Sequence, residues 1–276
     1  MKKKKLTNIT INIIIGIFGI LLLYSIFNII KWKIDSKKLS NQIDNINDII
    51  SIDDFDNKDV VIVSNNADDK DPYWSYIKMN LIDVNLNELR KINSDTKGWI
   101  KVNGTNINYP FVQTSNNDYY LNRSFDKSLN KSGWVFMDYR NNLTNLDKNT
   151  ILYAHGRVNK TMFGSLNDIL KNDWIKNKDN YVIRIVTDKE TSLWQIFSVY
   201  HLPTTNDYLK INFTNDDEFL KFAETLENRS LFDFKTSINK DDKILTLSTC
   251  YNRNDKMVVH AKLIKYATKK KLFVNK

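Results

Sequence analysis

The stretch Lys243–Leu263, KILTLSTCYNRNDKMVVHAKL, decides how this chain is read. Ile244, Thr246, Ser248 and Cys250 alternate with Leu245, Leu247 and Thr249, and this two-residue period predicts a strand with two distinct faces. The polar run Tyr251–Lys256 predicts a turn, and Met257–Ile264 predicts a second strand. Cys250 is the only cysteine of the chain and closes the first strand, where a side chain is presented outward. A lone cysteine is commonly a small buried hydrophobe. Here the hydroxyls of Ser248 and Thr249 precede it, and two cations, Arg253 and Lys256, follow within the turn. Such surroundings suit a reactive thiol better than a core position.

Upstream, six more runs bounded by turn residues read as strands: Trp99–Val102, Ile107–Val112, Gly133–Asp138, Thr150–His155, Tyr181–Thr187 and Trp194–His201. Two interruptions carry helical spacing. Met162, Leu166, Ile169 and Leu170 share one face. Phe219, Phe222, Ala223 and Leu226 share another, behind an Asn215…Glu218 capping signal. Ahead of the strands, Met79, Ile82, Leu86 and Leu89 recur at steps of three and four, which predicts one helix packed on the domain. Eight short strands suggest a closed β-barrel, which also hides sheet edges. The expected class is mainly β (α+β), with an N-terminal helix and a further helix between the sixth and seventh strands.

The net charge is +9, and residues 1–38 hold eight lysines against one aspartate. The basic excess therefore belongs to the N-terminal end and does not describe a nucleic-acid-binding surface. Residues 1–8 form a basic tail. Ile9–Ile30 is apolar and uncharged, and as a helix it would span about 33 Å, enough to cross a bilayer. It is longer than a signal-peptide core and is not followed by a small-residue cleavage site, so an uncleaved signal-anchor is expected. Residues 31–71 read as a polar spacer, with some helix near Leu39–Ile52. Residues 72–276 form the folded domain. The tight lysine cluster at the start predicts a single-pass protein of the cell membrane with that domain outside.

Three histidines are available: His155 at a strand end before Gly156, His201 before Leu202-Pro203, and His260 inside the last strand. One cysteine and three scattered histidines lack metal-ligand spacing, and neither a Walker loop nor a GxGxxG motif is present. Neither a metal nor another cofactor is expected. A thiol and an imidazole at strand ends suit nucleophilic acyl transfer, with imidazole protonating a leaving amine and a donor stabilising the oxyanion. Cys250 and His155 are 95 positions apart, so their meeting is a matter for the fold.

TLSTC (246–250), followed by a cation and VVHAKL, with YAHG (153–156) upstream, resembles a sortase. The details resemble class B: GWIKVNGTNINYPFVQ (98–113), the YYL of Tyr119–Leu121, GWVFMDYRN (133–141) and YAHGRVNKTMFGSL (153–166). The resemblance covers most of Tyr73–Tyr266. It implies a membrane-anchored cysteine transpeptidase of Gram-positive bacteria. Such enzymes cleave the sorting signal of a surface protein after threonine, hold the acyl group as a thioester and pass it to an amine of a peptidoglycan precursor or cross-bridge. It makes Cys250 the nucleophile and His155 the general acid/base. The family's third residue is an arginine in a pattern like R-[LMF]-V-V. Lys256 stands at that position here, and Arg253 lies three residues earlier. The two compete for the role, and Arg253 is expected to fill it because a guanidinium offers a planar fork of donors. The resemblance also makes the connection between the sixth and seventh strands a groove wall. Tyr208 and Leu209 are its candidate wall residues, and Ser248 and Thr249 are candidate contacts to the substrate. Two other readings stay open: a membrane-bound cysteine peptidase without an amine acceptor, and a degenerate sortase-like barrel that only binds sorting signals.

Overall fold

The computed structural model describes residues 2–55, 60–63, 76–144, 146–252 and 254–269. The chain divides into two compact units, Met1–Asp44 and Asn45–Lys276.

Helix α1 runs unbroken over Lys2–Ile49. Within it is a segment long and apolar enough to cross a membrane, with a mean hydropathy of 2.6. The polar side chains there fold back on the helix. Ser25 Oγ donates to the Leu21 carbonyl at 2.8 Å, and Asn28 Nδ2 to the Tyr24 carbonyl at 3.0 Å. The helix continues through residues 31–49, taking in most of the helical stretch expected near Leu39–Ile52, and these residues contain neither proline nor glycine to stop it.

The second unit opens with a small sheet of β1 (Ile52–Asp54) and β3 (Ile82–Val84), paired antiparallel. Strand β2 (Val60–Ile62) joins the main sheet. Helix α2 covers Leu86–Ile92. The single helix expected over Met79–Leu89 is thus a strand followed by a shorter helix. Ile82 and Val84 alternate inward as strand residues, and Asn85 then starts the helix by accepting from the Asn87 N–H at 3.1 Å.

All eight expected strands form. They are β4 (Thr96–Val102), β5 (Asn108–Val112), β6 (Phe136–Met137), β7 (Asn149–Tyr153), β8 (Val182–Thr187), β9 (Glu190–Pro203), β10 (Ile244–Cys250) and β11 (Asp255–Thr268). Their order is β10-β7-β6-β5-β4-β8-β9-β11, and β11 pairs back on β10 to close an eight-stranded barrel. The β5–β6 and β7–β10 pairs are parallel. Strand β2 extends this sheet along the far part of β11, with Val61 opposite Tyr266. A short helix, α3, covers Asn172–Lys176.

The hairpin β10–β11 separates two packed regions. Leu245 faces the barrel interior with Phe111, Leu152, Ile185 and Trp194. On the opposite face, Ile244 and Val258 join Phe197, Tyr200 and Tyr208 beneath helix α4 (Asp216–Asn228), which contributes Phe219, Ala223 and Leu226. The valine, leucine, isoleucine and phenylalanine side chains among them contribute about 1.5–3 kcal/mol each when fully buried. The expected cap is present: Asn215 Oδ1 accepts from the Glu218 N–H at 2.9 Å. Thr246, Ser248 and Cys250 share the α4-facing side of β10, and only Cys250 is exposed.

Candidate active site

Strands β7 and β10 run in the same direction, with Ser248 opposite Tyr153. Both chains leave this ladder side by side, so continuing the register by two residues brings Cys250 level with His155. Three contacts fix the juncture. The Ala154 N–H reaches the Ser248 carbonyl at 3.5 Å, and Thr249 Oγ1 donates to the Ala154 carbonyl at 2.8 Å. Gly156 lies against the Cys250 backbone so closely that a Cβ there would be 2.2 Å from the Cys250 carbonyl oxygen. A glycine is required for this approach.

His155 is half-buried, and its ring orientation is set from a third segment. Nε2 lies 2.7 Å from the Leu121 carbonyl oxygen, which can only accept, so Nε2 carries the hydrogen. In the neutral ring, Nδ1 is then the nitrogen that takes or gives a proton. Gly133 backs the ring; its φ is +62°, and a Cβ there would be 2.9 Å from His155 Cδ2.

One of the two candidate cations, Lys256, stands on the facing strand. In the β10–β11 ladder Cys250 pairs directly with Lys256, and Lys256 Nζ lies 3.4 Å from Cys250 Sγ. The intervening turn is tied by Asn252, whose Oδ1 accepts from the N–H groups of Asn254 and Asp255 at 2.8 and 2.9 Å. Tyr251 stacks on His201, ring centroids 4.5 Å apart and planes 10° from parallel. Arg253 lies outside the described residues.

The remaining sequence candidates stand behind the thiol. The hydroxyls of Ser248 and Tyr208 are 3.0 Å apart, and both residues are buried. Tyr208 packs among the residues under α4, and its contact with the β10 face is through Ser248. Leu209 is partly buried beside the same cluster, and its carbonyl accepts from Arg140 Nη2 at 3.2 Å. Thr249 is on the other face of β10, engaged with Ala154.

Sequence reading passed over one feature and placed another only as a histidine inside the last strand. The first is Asp138, fully buried, which takes Arg140 Nε and Nη2 at 2.9 and 2.8 Å and the Tyr153 hydroxyl at 2.9 Å. Burial alone would raise its pKa; the Arg140 bonds, with Tyr153 and Asn117, outweigh burial and hold it below the usual carboxylate range. This cluster clamps the segment after β6 to β7, two residues before His155. The second is His260, fully buried between strands. Asn149 Nδ2 donates to the Lys210 carbonyl at 2.9 Å, leaving Oδ1 to accept from Thr246 Oγ1 at 2.7 Å. Thr246 therefore accepts from His260 Nδ1–H at 2.9 Å, and Nε2 accepts from the Tyr200 hydroxyl at 2.8 Å. Burial, with the nearby Arg229 charge, pushes the His260 pKa down to about 3. The DYRN run contains both Asp138 and Arg140, but Tyr153, Asn117 and the partners of His260 lie elsewhere in the sequence.

Known proteins resemble this chain in sequence and in fold. The family model for the sortase domain matches residues 100–264. Sortase B of Staphylococcus aureus (strain NCTC 8325 / PS 47) is 38% identical over 181 residues, covering 64% of this chain and 73% of its own. A Staphylococcus aureus sortase B–substrate complex superposes with a TM-score of 0.61 at 37% identity, covering 64% of this chain and 83% of its own. A sortase B structure complexed with triglycine gives the same TM-score and identity, over 64% and 84%.

Proposed function

The chain belongs to the sortase family, whose class B members are cysteine transpeptidases, and we propose that it cleaves a sorting signal at threonine and transfers the acyl group to a cell-wall amine. The arrangement of Cys250, His155 and Lys256 on three adjacent segments carries this reading. Cys250 Sγ attacks the threonine carbonyl. The Lys256 ammonium, 3.4 Å from that sulfur, stabilises the oxyanion that develops beside it. His155 protonates the departing amine, leaving a thioester on Cys250, and then takes the proton of the incoming amine. Ser248, backed by Tyr208, lies along the same strand face and orients the substrate backbone. Thr249 holds the end of β10 against β7, and Leu209 belongs to the wall beside it. Lys256 takes the cation role here on the strength of its register with Cys250, with Arg253 a lesser contributor. The solved complexes with a substrate and with triglycine belong to relatives and support a groove for both partners. The apolar part of α1 anchors the enzyme in the membrane with the barrel outside.

The test is product analysis. A pool of N-terminally biotinylated peptides with threonine fixed and random neighbours is incubated with the full chain in detergent micelles, with and without triglycine. Threonine–triglycine products that require both Cys250 and the added amine are expected, and the Cys250→Ala protein should give none. Free threonine carboxylate alone, whatever the triglycine concentration, would indicate a peptidase. Capture without cleavage would indicate a binding protein.

A further inference from the structure

Cross-strand pairing gives the thiol an unusual neighbour, a primary amine. Lys256 Nζ lies 3.4 Å from Cys250 Sγ, and among the described residues no carboxylate forms an ion pair with it. The adjacent carboxylate, Asp255, accepts from Asn252 Nδ2 at 2.8 Å. A thioester carbonyl carbon on Cys250 is one bond from the sulfur. An amine at this distance from sulfur is therefore within range of the roughly 3–3.5 Å separation from which attack occurs. An arginine in this position could not react in this way, since its guanidinium keeps its proton.

Resting on the thioester reading above, we propose that Lys256 is an internal acyl acceptor, so that the enzyme acylates itself when external amine is scarce. The Lys256 ammonium first releases a proton to solvent, and the neutral ε-amine then attacks the threonine carbonyl of the acyl-enzyme. A C–N bond forms, the C–S bond breaks, and the electron pair leaves with Sγ. A proton from the amine passes to the sulfur, directly or through His155, leaving a free thiol and an isopeptide bond on Lys256. No oxidant, reductant or further reactant is consumed. The chemistry is that of transfer to an external amine, with the acceptor held in place; effective molarities for well-oriented intramolecular reactions reach roughly 10⁵ M and above. The product removes the positive charge facing the sulfur and leaves the acyl chain tethered beside the thiol. Self-acylation is thus a brake that an acceptor amine forestalls by taking the acyl group first.

The experiment uses the full chain in detergent micelles with the same biotinylated threonine-fixed peptide pool, followed by hydroxylamine, which cleaves thioesters and spares amides. Without triglycine, hydroxylamine-resistant biotin should accumulate, and peptide mapping should place it on Lys256. Excess triglycine should lower that fraction at least tenfold. Lys256→Arg should carry only hydroxylamine-labile biotin on Cys250. Biotin that is entirely labile in the wild type, or resistant biotin spread over other lysines, overturns the proposal while leaving the thioester reading intact. Absence of any biotin from the wild type and from Lys256→Arg alike overturns both, whereas labile biotin on Cys250 of Lys256→Arg with no resistant biotin in the wild type overturns the self-acylation alone.

Discussion

Two cross-strand pairs on one face of the β10–β11 hairpin, Thr246–His260 and Cys250–Lys256, have opposite fates. The first pair is roofed by α4 and its connection. Every polar atom of Thr246 and His260 at their contact has a defined partner, and burial keeps the imidazole neutral. The second pair lies four residues along the same strand, at the exposed end of the cover, where the sulfur faces a cation and can meet a substrate. The histidines show the same division. His155 has one ring nitrogen fixed by a backbone carbonyl, whereas His260 has both engaged in the protein. Depth under the cover, rather than residue type, separates chemistry from structure along this hairpin.

The largest expected effect tests the exposed pair. Lys256→Ala should reduce single-turnover acylation by about 10²–10³, the usual loss for one oxyanion donor. Arg253→Ala should lose distinctly less. The reverse ranking in rapid-quench acylation would mean that the guanidinium reaches the site and that cross-strand register does not choose the cation.

A smaller effect tests the juncture that sets the thiol beside its imidazole. In Gly156→Ala the added methyl meets the Cys250 carbonyl oxygen at 2.2 Å, so strand β10 must shift at its end. A displacement near 1 Å at a nucleophile costs roughly 10² in rate. The acylation rate should fall by about that factor while the circular dichroism spectrum is retained. A near wild-type rate would show that the β7 and β10 ends are not coupled through this contact.

The smallest effect concerns the buried pair and is read in stability. His260 titrates near 3 in the fold and near 6.5 when unfolded, so between these values the unfolded chain binds the extra proton. Its contribution is complete above about pH 6.5 and is lost as pH falls toward 3, with a slope of up to about 1.4 kcal/mol per pH unit. Urea denaturation from pH 7 to pH 4 should show a steeper loss for the wild type than for His260→Gln. Parallel slopes would mean that the imidazole is hydrated or already charged, and the contrast between the two pairs would fail.

Much of this is visible in the residues. Short runs bounded by turn residues mark all eight strands, and Asn215…Glu218 announces α4 through a local hydrogen bond. The steps of three and four from Met79 to Leu89 misled because a short strand, a capping asparagine and a seven-residue helix can place apolar residues at the same intervals. The polar composition after residue 30 left the extent of helix there open: without proline or glycine, a helix already under way continues to Ile49.

The sequence by itself determined the strands, the apolar helix and the pair of reactive residue types at strand ends, since these depend on local periodicity and on the chemistry of single side chains. The family resemblance pointed to His155 and left Arg253 and Lys256 competing; the tertiary structure supplies the registers that put His155 level with the thiol and Lys256 opposite it. The parallel β7–β10 register brings together residues 95 positions apart, and the antiparallel β10–β11 register puts Lys256 opposite Cys250. It also decided that Tyr208 supports Ser248 from a buried position and that Gly156 admits no side chain. Hydrogen-bond register and close packing join segments with no local sequence relation, so these roles become defined only when the barrel closes.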